Sequence, residues 1–61
     1  MNVLSDSVAA FNLIDHFGGE LPDTFTLECE EFLQMQDIHL PEQQQRIYDH
    51  ALMMNSDGAS E

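Results

Sequence analysis

Gly18-Gly19 and Leu40-Pro41 divide this chain into three segments, and each segment repeats its apolar residues at helical spacing. Glycine takes the left-handed conformation that ends a helix without steric penalty. Proline biases the residue before it to extended backbone and suits the first turn of a helix, where its missing N–H costs nothing. In the first segment Leu4, Val8, Phe11 and Ile14 recur as one stripe, widened by Ala10, Leu13 and Phe17. Ser5 or Asp6 can cap its start, giving an expected helix over about 5–17. The second helix is expected over 24–37, capped by Asp23 or Thr24, with Phe25, Cys29, Phe32, Leu33 and Met35 facing inward. The third is expected over 41–54, with Ile47, Tyr48, Ala51, Leu52 and Met54 as its apolar face. The stretch 55–61, NSDGASE, has no periodicity and reads as a frayed, flexible acidic tail. TFTLE alternates for too few residues to outweigh the helical pattern after it, so a sheet is not expected. The fold class is all-α: a small three-helix domain over 1–54.

A domain of 61 residues is small. It buries only about 60% of the surface its unfolded chain exposes. Twelve acidic side chains against one arginine give a formal net charge of −11, a balance often found in disordered chains. Here 43% of the residues are hydrophobic, which is enough for a core and favours a folded protein. The single cysteine, Cys29, leaves no internal disulfide, which suits a reducing cytoplasm. No apolar run approaches the roughly 20 residues of a membrane span. The amino end carries Asp6 where a secretion signal would be basic. An acidic chain is repelled by anionic lipid and by nucleic acid, so neither membrane nor nucleic acid is an expected direct partner. A charge-driven partner must be basic.

The acids concentrate in and before the second helix. Glu28 and Glu31 share a helix face, Glu30 flanks them, Asp37 lies further along, and Glu20 and Asp23 precede them. Ordinary solvated faces mix both signs. Read blandly, this is a solubility surface. Read functionally, it presents carboxylates where a basic protein expects phosphates. Glutamates on an exposed helix lack the cleft that would separate two pKa values for acid–base chemistry. His16, His39 and His50 give neither an i, i+4 pair nor a two-cysteine knuckle, so no metal site or cofactor is expected. Cys29 sits among glutamates, which oppose thiolate formation, and at an inward position, so it reads as a small buried hydrophobe. Arg46 has Glu42 four residues before it and Asp49 three after, an arrangement for local ion pairs. Tyr48, Met53 and Met54 serve equally as gap-filling core or as an adaptable contact surface.

No phosphate-binding loop, nucleophile–base pair or cofactor box is present, so the expectation is a non-enzymatic binding protein. In size, charge and helix content the chain resembles the small acidic proteins that bacteriophages and mobile elements direct against host nucleic-acid machinery. Among these are anti-restriction and anti-CRISPR proteins and inhibitors of host polymerases or nucleases. That resemblance is one of composition. It implies an inhibitor that occupies the site of a basic nucleic-acid-binding protein, by nucleic-acid mimicry, in the cytoplasm of a bacterial host. The expected contact residues are Glu20, Asp23, Glu28, Glu30, Glu31, Asp37, Tyr48, Met53 and Met54. The alternative is a small helical interaction subunit. It would dock on a larger protein, or on a second copy as a homodimer, through Tyr48, Leu52, Met53 and Met54.

Overall fold

The computed structural model describes residues 5–59, which form three α-helices: α1, Asp6–His16; α2, Leu27–Met35; and α3, Pro41–Ala59. No strand occurs among the described residues. Leu4 and residues 60–61 lie outside them.

Side-chain and backbone caps set the helix ends. The Ser5 hydroxyl accepts a hydrogen bond from the Val8 N–H at 3.2 Å and so begins α1. Thr26 does the same for α2 through the Cys29 N–H at 3.3 Å. The cap of α2 is therefore Thr26 rather than Asp23 or Thr24, and residues 23–26 remain outside the helix. At the end of α1 the Gly18 N–H reaches the Asp15 carbonyl and the Gly19 N–H reaches that of Ile14, the paired bonds of a Schellman stop. The same pair recurs at the end of α2, where Asp37 N–H reaches Gln34 and Ile38 N–H reaches Leu33. Here the left-handed residue is Asp37, at φ 69°, rather than a glycine.

That substitution has a measurable consequence. A non-glycine residue in the left-handed region pays a steric penalty, smaller for Asp than for most. Asp37→Gly should raise stability by about 0.5–1 kcal/mol, after allowing for the freer unfolded chain. The urea midpoint should shift upward with an unchanged slope. A lower midpoint would mean that the Asp37 carboxylate, 3.2 Å from His39 Nε2, outweighs the strain.

The principal packing interface joins α1 to α3. Ala9, Ala10 and Leu13 of α1 meet Ile47, Tyr48 and Ala51 of α3, with Cys29 and Leu33 of α2 and Ile38 completing the buried core. Ala10 and Leu13 of the expected stripe are buried here together with Ala9, which the stripe did not include. Val8 and Phe11 point outward, 46% and 61% exposed. Met35, expected inward, is 81% exposed because α2 ends there and the left-handed turn at Asp37 brings Ile38 back against the core. Among the described residues Gln44 is the one buried polar side chain, and its amide donates to the Ile38 carbonyl at 2.9 Å. No buried side-chain nitrogen or oxygen lacks a partner among the described residues.

The third helix continues beyond 54 to Ala59. A tertiary contact supports that extension: the Asn55 amide donates to the Gly19 carbonyl at 3.0 Å, tying α3 to the turn after α1. No helix among the described residues is long and apolar enough to cross a membrane.

Candidate partner-binding surface

The outward side of α2 carries the candidate surface. Burying Cys29 and Leu33 fixes the rotation of this helix and turns Glu28, Glu31 and Met35 to solvent, while Glu30 is half-buried and accepts from the Gln34 amide at 3.3 Å. Glu28 and Glu30 also fall in the first turn of α2, where the free N–H groups favour negative charge. Glu20 and Asp23, in the connection before α2, are exposed, as is Asp37 after it.

Between the end of α1 and α2 lies an open groove of about 320 Å³, lined by His16, Glu28, Glu31, Phe32 and Met35. The His16 ring stacks on Phe32, with centroids 4.3 Å apart and planes 20° from parallel. Its Nε2 lies 3.2 Å from Glu28 Oε2. Phe17 meets the same imidazole edge-on at 5.0 Å. These contacts order one wall and leave Glu31 and Met35 open to solvent. Sequence reasoning placed the two glutamates together but did not find the groove. The pairing of His16 with Phe32 depends on how α1 and α2 pack, and no local spacing encodes it.

The apolar half of the expected contact set divides. Met53 is 68% exposed, whereas Met54 is half-buried and packs against the core. Tyr48 is corrected outright: at 3% exposure it belongs to the core. Its hydroxyl donates to the Pro22 carbonyl, and its ring meets Phe25 edge-on at 5.6 Å. Burial, helped by the nearby Cys29, Asp23 and Asp49, pushes the phenol above its ordinary value of 10.0. Because the folded pKa is raised, Tyr48 contributes its stability fully below the unfolded value. That contribution is lost as pH climbs toward and through the folded one. Tyr48 is the only tyrosine and the chain has no tryptophan, so tyrosinate absorbance reports this group alone. Its midpoint should lie above 10.0 and coincide with the onset of alkaline unfolding. An ordinary midpoint, with the helices intact, would contradict the buried placement.

Arg46 also departs from expectation. Its Nε donates to Asp6 Oδ2 at 2.6 Å, across from α3 to α1, rather than to Glu42 or Asp49 on its own helix. The guanidinium beside Asp6 holds that carboxyl below the usual carboxylate range. The chain's only strong cation is thus committed to an interhelical bond and neutralises nothing on α2.

Cys29 is buried, and its sulfur lies 3.4 Å from the Thr26 hydroxyl. No group of three or more His, Cys, Asp or Glu side chains that could hold a metal ion comes together among the described residues. No family model matches the chain, and neither does any curated protein or solved structure.

Proposed function

We propose that this protein is a non-enzymatic acidic inhibitor that binds a basic, nucleic-acid-binding protein and blocks the site its nucleic acid would occupy. The observation that carries this reading is that no arginine pairs with the α2 carboxylates among the described residues; Glu28 meets only the His16 ring, and Glu31 makes no ion pair. Glu28 and Glu31 are exposed, and the single arginine is turned away to Asp6. A net charge far from zero also aids solubility, but ordinary solvated faces mix both signs, and omitting cations serves a surface that offers carboxylates in place of phosphates. Long-range attraction would speed encounter, and exposed apolar groups beside the acids would slow release. A cytoplasmic setting in a bacterial host fits such a partner.

A second reading, docking as a helical interaction subunit, draws support from the exposed Phe11, Leu27, Met35, Leu40 and Met53. Tyr48 no longer belongs to that surface. Salt separates the two readings. For a charge-led complex, affinity should fall at least about tenfold between about 0.05 and 0.2 M salt, mostly through slower association. An affinity that holds or rises over the same range would favour the apolar subunit.

A further inference from the structure

The groove at the end of α1 combines features that a plain acidic patch lacks. Phe32 and Met35 give it an apolar floor, and Glu28 and Glu31 place two carboxylates on its lining. One Glu28 oxygen already meets His16, which fixes that carboxylate and leaves its second oxygen available. Glu31 takes part in no ion pair among the described residues. Building on the inhibitor reading, we propose that this groove receives one arginine side chain of the basic partner. Its alkyl stem lies against Phe32 and Met35, and its guanidinium is held by Glu28 and Glu31.

Both halves of that side chain find a match. Arginine carries an apolar stem that packs along apolar surface while its charged head stays in contact with polar groups. The planar guanidinium presents several donors in a fixed fork that suits carboxylates, and it is less strongly hydrated than an ammonium. Lysine offers the stem but only a compact, well-hydrated charge. A second copy of this chain is a poor occupant: it carries the same −11, and its one arginine is already bonded to Asp6.

The probe is acetylated, amidated tri-arginine, with tri-lysine beside it, titrated at about 0.15 M salt so that diffuse attraction is screened. Binding is read by NMR from ¹³C-labelled methionine methyls and the Phe32 ring. Met35 and Phe32 should shift saturably while Met53 stays still, and tri-lysine should bind at least about threefold more weakly. The Glu28→Gln/Glu31→Gln pair should weaken tri-arginine about tenfold. Glu42→Gln/Asp49→Asn, which removes two acids from α3, should change it less than about twofold. Met35→Ala, at a side chain 81% exposed, tests the floor with no fold at stake and should weaken binding about threefold. Equal shifts at Met35 and Met53, equal affinity for the two peptides, or indifference to the glutamine pair would overturn the arginine site. Localised tri-arginine binding by a protein that fails to displace nucleic acid from any basic partner would keep the groove and remove the inhibitor reading. Delocalised binding removes the groove and leaves that reading to its own competition experiment.

Discussion

Leu33→Ala should leave the domain largely unfolded at room temperature, while Met35→Ala, two residues along the same helix, should change stability by no more than about 0.5 kcal/mol. Leu33 is fully buried in the core, whereas Met35 is 81% exposed. Truncating a buried leucine costs about 2–5 kcal/mol through lost transfer energy and the cavity left behind. A single core in a domain this small rarely supplies more than about 3–5 kcal/mol in total. The helical circular-dichroism signal of the leucine variant should therefore be lost or strongly reduced, and any remaining transition should occur at low urea. A loss below about 1 kcal/mol would show that the core of Leu13, Leu33, Ile38 and Ile47 is not what holds the helices together.

Changing Glu28, Glu30 and Glu31 together to glutamine should act on binding and spare the fold. Glutamine nearly matches glutamate in size and helix propensity. Two small effects on stability oppose each other: relief of the Glu28–Glu31 repulsion, and loss of favourable charge in the first turn of α2. The net change should stay within about 0.5 kcal/mol. Affinity for the basic partner should fall about a hundredfold at low salt, mainly in the association rate, because the long-range field is what the substitution removes. If the triple variant binds as well as the parent while Met53→Ala weakens binding, contact through the apolar surface becomes the better description.

The fold was legible where single residues punctuate the chain. Gly18-Gly19 ends α1 and Pro41 begins α3, as their backbone preferences require. Cys29, Leu33, Ile47 and Ala51 face inward because the periodicity of α2 and α3 is read correctly. Reading failed where packing chose between faces of similar hydrophobicity. On α1, Ala10 and Leu13 are buried as expected, but Ala9 faces inward while the bulkier Val8 and Phe11 are left exposed. Ile38 was missed because it enters the core through a non-glycine left-handed turn, which no local pattern announces. Of the site, the grouping of Glu28 with Glu31 follows from helical spacing alone. The groove, the His16–Phe32 stack and the Arg46–Asp6 bond join residues at least 12 positions apart, beyond the reach of local spacing.

Competition with nucleic acid tests the central claim most directly. A basic protein captured from a bacterial lysate on the immobilised chain would be loaded with a fluorescent duplex or RNA that it binds. The free chain would then be titrated in while anisotropy and complex mass are followed. Nucleic acid should be released in step with binding of the acidic protein. The Glu28, Glu30 and Glu31 glutamine variant should need about a hundredfold more protein for the same release. A stable ternary complex, holding nucleic acid and this protein together with neither weakened, would contradict occupation of the nucleic-acid site.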